Sequence, residues 1–96
     1  MFEWDKTKSG ANLKKHGISF DDAKAIFEGP VLTRLDDRQD YGESRSISIG
    51  ALSDVIVIVV AHTARAGKIR IISARKANRN ERKIYNDYLK KTLRKT

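Results

Sequence analysis

The 96-residue chain has no cysteine, is 40% hydrophobic and 33% charged, and carries a formal net charge of +8 from twenty Lys and Arg against twelve Asp and Glu. These totals exclude a disulfide scaffold, a thiolate metal site and a disordered chain. They fit one domain over residues 1–96 that buries roughly 60–65% of its unfolded surface. The positive balance points to a polyanion, above all nucleic acid, or to an acidic protein partner.

Phe2 and Trp4 alternate with Glu3 and Asp5, the pattern of a short edge strand or an anchored start. The first residues lack the basic-then-apolar order of a secretory signal. Asp5 is placed to cap a helix running to about His16, with Gly17 as its stop. Gly10 weakens that helix by ~1 kcal/mol relative to Ala, and Ala11 and Leu13 make a poor apolar stripe. Ser19 caps a second helix in which Ala23, Ile26 and Phe27 lie at core-facing spacing, and Gly29 and Pro30 end it.

Val31 to Leu35 is a strand, followed by a polar connection from Asp36 to Gly42. Arg45, Ile47 and Ile49 alternate with Ser46, Ser48 and Gly50 as in a half-buried antiparallel strand. Val55 to Ala61 is apolar on both faces and is the expected central strand. It is far short of the ~20 residues of a membrane span, and a cytoplasmic protein with no membrane partner is expected. Thr63 to Gly67 is read as a turn, and Ile69 to Arg75 as the next strand. Asn78 and Glu81 form a capping box for a last helix with an Ile84, Tyr85, Tyr88, Leu89 stripe. A frayed basic tail over about 90–96 is expected. The fold class is α+β: two N-terminal helices, an antiparallel β-meander of about four strands and a C-terminal helix, with the helices on one sheet face.

The stretch from Lys68 to Ala77 is the unusual one, because Arg70 and Arg75 sit in a strand and Arg65 just before it. A strand core does not need guanidinium groups, whereas a phosphate suits their planar, permanently charged fork. With the turn centred near Arg65, His62 falls opposite about Ile69 and Ala61 opposite about Arg70. Strict alternation then puts Arg70 and Arg75 on opposite faces. The expected site is therefore Arg70 on the open face joined by Arg65, with Arg75 added only if the strand end bends.

Metal-free RNA cleavage needs a base for the 2′-hydroxyl, cations for the phosphate and an acid for the leaving oxygen. Arginine serves the middle task alone. His62, His16, Glu43 and Tyr85 are the candidates for proton transfer, His62 for its ordinary pKa near ~6.5. The structural alternatives are a strand-end histidine, a helix-end histidine, a Glu43–Arg45 salt bridge and a core tyrosine. Lys15, Arg45, Lys68, Lys76 and Tyr85 are candidates for RNA contacts. Two histidines without cysteine or a ligand motif give no metal site. Asp36, Asp37 and Asp40 read as a solvated acidic loop, and no glycine-rich phosphate loop is present. No cofactor is expected.

Five segments carry a resemblance: Phe2-Glu3-Trp4-Asp5, Lys15 to Phe20, Gly42-Glu43-Ser44-Arg45, Arg70 to Arg75 with Ala77, and Glu81-Arg82 with Tyr85. Together they resemble the BrnT toxins of type II toxin–antitoxin systems. The resemblance implies a RelE-like ribonuclease fold, growth-inhibiting RNA cleavage and a BrnA-type antitoxin. DNA would be met only indirectly, through that antitoxin. It also implies that Arg65, Arg70 and Arg75 line the cleavage groove. The alternative function is a basic module that binds RNA or an acidic partner without cutting, since the same charge serves both.

Overall fold

Asp5 starts the first helix as its residue type requires. In the computed structural model, which describes residues 1–38 and 40–93, its carboxylate accepts the N–H groups of Thr7 at 2.8 Å and Lys8 at 3.1 Å. Helix α1 (Lys6–His16) ends at Gly17, whose φ of 75° is the left-handed conformation of a helix stop. Leu13 is exposed, so no apolar stripe fixes this helix. Its anchor is Asn12, the buried residue of α1, whose amide donates to Ala74 O at 2.8 Å and Ile18 O at 2.7 Å and accepts Ala74 N–H at 3.2 Å. Ser19 caps α2 (Phe20–Ala23) by accepting Asp22 N–H at 3.0 Å, and the chain continues as a 3-10 turn, Lys24–Glu28.

The sheet has five strands in the order β1-β5-β4-β3-β2: β1 (Phe2–Glu3), β2 (Val31–Asp36), β3 (Arg45–Ala51), β4 (Val57–Arg65) and β5 (Lys68–Lys76). Strands β2 to β5 form the expected meander. Strand β1 adds a parallel edge beside β5, which makes the sheet mixed. The expected turn at Thr63 to Gly67 is shorter than its composition suggested. Strand β4 runs on to Arg65, and only Ala66 and Gly67, with φ of 53° and 78°, turn the chain. Two consecutive positive φ angles are those of the hairpin turn that matches strand twist.

Helix α3 (Arg79–Leu93) lies on the opposite face from the N-terminal helices, not on a shared one. Ile58, Val60, Ile71 and Ala74 meet Ile18, Phe20, Ala23 and Ile26 on one side. Ile49, Val59 and Ala77 meet Tyr85 on the other, with Tyr88 and Leu89 at the margin. A central strand apolar on both faces requires cover on both. Gly50 belongs to the first side, where a Cβ would fall 2.8 Å from Ile26 Cβ. Residues 90–93, expected in a frayed tail, form the last turn of α3, and 94–96 lie outside the described residues. Among the described residues no helix is long and apolar enough to cross a membrane.

Strand β5 carries one irregularity. Ile71 pairs with His62 and Ser73 with Ala61, leaving Ile72 without a partner. This β-bulge shifts the side-chain phase by one residue. Arg70 lies opposite Thr63 and Arg75 opposite Val59, and these two partners share a face of the regular strand β4. Arg70 and Arg75 therefore project from the same face, against the expectation from simple alternation.

Candidate active site

Strand pairing aligns five side chains in one row across the α3 face: Glu3, Arg70, Thr63, Arg45 and Asp36. Two neighbouring strand spacings separate Arg70 from Arg45, about 10 Å. Arg65, two residues beyond Thr63 on β4, shares the face. Each guanidinium has a carboxylate beside it. Arg70 Nη1 donates to Glu3 Oε2 at 3.1 Å, and Arg45 Nε donates to Glu43 Oε2 at 3.2 Å. Arg65 Nη2 is 3.7 Å from Glu43 Oε1. Glu43 thus stands between two guanidiniums.

These groups converge on a cavity of about 210 Å³ lined by Asp5, Lys8, Glu43, Arg45, Arg65, Arg70, Ile71 and Ile72. The ion pairs around it are partly solvated: Arg65 is 55% exposed and Glu43 31%. Such pairs contribute about 0–1 kcal/mol each, so an incoming phosphate exchanges with a carboxylate at little cost. A larger depression of about 700 Å³ is lined along the outer side of α3 by Arg79, Arg82, Lys83, Asp87 and neighbours. Its cations and Asp87 all stand on one helix, whereas the smaller cavity gathers its side chains from the start of α1, the loop before β3, and strands β3, β4 and β5, so the smaller cavity is the candidate site.

The other sequence candidates lie elsewhere. Arg75 is bound in fork geometry by Glu81, with both N–O distances 2.8 Å. Glu81 also accepts Asn78 N–H at 2.8 Å, closing the capping box of α3. This contact with Glu81 raises the Arg75 pKa and lowers that of Glu81. Arg75 ties α3 to the sheet and does not line the cavity. His62 faces the opposite side. Its Nε2 lies 2.8 Å from Ser48 Oγ, Ser48 bonds Thr33 at 2.7 Å, and the ring meets Phe27 edge-on at 5.2 Å. Burial pushes its pKa down.

Tyr85 is 2% exposed and donates its hydroxyl to Pro30 O at 2.8 Å, a core position. Burial raises its pKa. Lys68 is exposed at the hairpin beside Arg65. Lys15 sits in the last turn of α1, and Lys76 faces the N-terminal side opposite Ile58. His16 is the last residue of α1, where a helix C-terminus favours a cation. Trp4 is packed against the core under Lys24, as an anchor.

The sequence candidates include neither Lys8 nor Glu3. Their signal was the Asp5 cap together with the β1 alternation. Parallel pairing of Phe2 with Ile69 and Glu3 with Arg70 carries the start of α1 to the cavity. The Asp36 to Gly42 connection is ordered at its start: Arg38 and Tyr41 bind Asp36, and Asp40 accepts Gly42 N–H at 2.9 Å.

The family described as the ribonuclease toxin BrnT of type II toxin–antitoxin systems matches residues 4–81. The crystal structure of the ribonuclease toxin BrnT from Brucella abortus is similar, with a TM-score of 0.63 and 26% identity. The alignment covers 82% of this chain and 99% of that one. No curated protein matches.

Proposed function

The chain belongs to the BrnT family of ribonuclease toxins of type II toxin–antitoxin systems, and from that membership we propose how it cuts RNA. The observation that carries the reading is Glu43 held between Arg45 and Arg65 on the wall of a cavity that Arg70 also lines. A scissile phosphate displaces the carboxylates and is held by Arg65 and Arg70, whose forks match its oxygens. Glu43, released from its arginines, removes the 2′-hydroxyl proton. The 2′-oxygen attacks phosphorus, and the guanidiniums stabilise the pentacoordinate oxyanion. Lys8 protonates the departing 5′-oxygen. The products are a 2′,3′-cyclic phosphate and a 5′-hydroxyl, with no metal in the scheme.

In this reading, cleavage takes place in the cytoplasm and arrests growth. A BrnA-type antitoxin neutralises the toxin by covering the arginine row, and contact with DNA is made by that antitoxin. The test is incubation of the purified protein with RNA in EDTA. Shortened RNA with cyclic phosphate ends is expected, with the rate cut sharply to a residual, still measurable level in Arg70→Ala and Glu43→Gln variants that melt as the parent does. Binding that leaves RNA intact would replace the enzyme with the binding module.

A further inference from the structure

The loop that carries Glu43 is held by a carboxylate that does not line the cavity. Asp36 ends β2, and its side chain is 2% exposed. A carboxylate in that position must be satisfied. It accepts Arg38 Nε at 2.7 Å, Arg38 Nη2 at 2.9 Å, the Arg38 backbone N–H at 3.4 Å and the Tyr41 hydroxyl at 3.1 Å.

The chain of contacts continues into the cavity. The Arg45 guanidinium lies over the Tyr41 ring, 4.1 Å from its centroid. Arg45 in turn donates to Glu43. The far end of the loop is fixed independently, because Thr63 Oγ1 donates to Ser44 O at 2.6 Å. Gly42, with φ of 73°, makes the bend just before Glu43. The loop therefore has one anchor at Asp36 and one at Thr63, and Glu43 stands between them.

We infer that Asp36 is a positioning residue for RNA cleavage: through Tyr41 and Arg45 it sets where Glu43 stands relative to Arg65 and Arg70. The inference rests on Glu43 being the base. It separates Asp36 from a carboxylate that merely stabilises the β2–β3 connection, because a purely stabilising group has no reason to act through Glu43.

The test is a double-mutant comparison of the single-turnover rate on RNA, at a temperature where melting curves show each variant folded. Asp36→Asn lowers the rate by about 10- to 100-fold, the cost of a misplaced catalytic group. Tyr41→Phe, which keeps the Asp36–Arg38 pair, lowers it by about fivefold, equivalent to one hydrogen bond. In a Glu43→Gln background neither substitution causes a further loss. Tyr41→Phe decides alone if Asp36→Asn does not fold. Full loss factors repeated on top of Glu43→Gln would overturn the inference and leave Glu43 as the base. Parental rates in folded Asp36→Asn and Tyr41→Phe would also overturn it. Parental activity in Glu43→Gln would overturn the base assignment and this inference together.

Discussion

Arg70 and Arg75 share a face of the sheet across five residues of strand because Ile72 between them has no partner. Yet they do different work. Arg70 lines the cavity with a loosely held Glu3, whereas Arg75 is clasped by Glu81 at the base of α3. One side chain is available to a phosphate and the other is committed to architecture.

Arg70→Ala is therefore expected to cut cleavage sharply with little change in stability. The partly exposed Glu3 pair contributes about 0–1 kcal/mol. RNA binding should also lose salt dependence, by about 0.7 in the slope of log K against log salt for one phosphate contact on a single strand. Cleavage assays with a salt series on the folded variant check this. An unchanged slope would remove Arg70 from the phosphate site.

Arg75→Ala should do the reverse. Losing the fork pair and slackening the Asn78–Glu81 capping box costs about 1–2 kcal/mol, discounted for the solvated arginine. Denaturant unfolding reads that loss, and single-turnover cleavage should fall by less than about tenfold. An unaltered unfolding midpoint with abolished cleavage would place Arg75 back among the phosphate ligands.

The meander, the capped helices and the α+β class were legible because each has a local cause. Asp5, Ser19 and Asn78 are caps by residue type, and Val57 to Val60 are β-branched throughout. What escaped was non-local. Nothing around Phe2 announces parallel pairing with Ile69, and an unpaired Ile72 looks like any strand isoleucine. The Arg65, Arg70 and Glu43 grouping was readable from charge and chemistry. Placing His62 was not, because the partners that hold its ring, Ser48 and Phe27, are distant in sequence.

His62 supplies a pH signature. Burial lowers its pKa from the ordinary 6.5, so the unfolded chain takes up a proton more readily than the folded one. Stability is full above about pH 6.5, falls as pH drops through that value and levels off below the folded pKa. Denaturation midpoints from pH 8 to pH 5 should show this slope in the parent and a shallower one in His62→Gln. Equal slopes would mean that His62 is not the responsible group.

Gly50→Ala should destabilise without touching the cavity. The added methyl meets Ile26 Cβ at 2.8 Å and Val31 Cγ1 at 3.1 Å. Overpacking of this kind costs about 1–3 kcal/mol. A thermal melt detects the change, and a midpoint at or above that of the parent would show that Ile26 yields freely.

The amide of Asn12 has a consequence beyond holding α1. Together with Met1 to Glu3, it occupies the outer edge of β5: Ile69 N–H donates to Met1 O at 2.8 Å, and Asn12 binds both backbone groups of Ala74. A foreign strand cannot add there without expelling α1 or β1. That leaves β2 as the longer of the sheet's two margins among the described residues, the other being the two-residue β1. Two copies joined margin to margin through β2 would use up that margin of each. Only the two-residue β1 would then remain as an open edge on each copy.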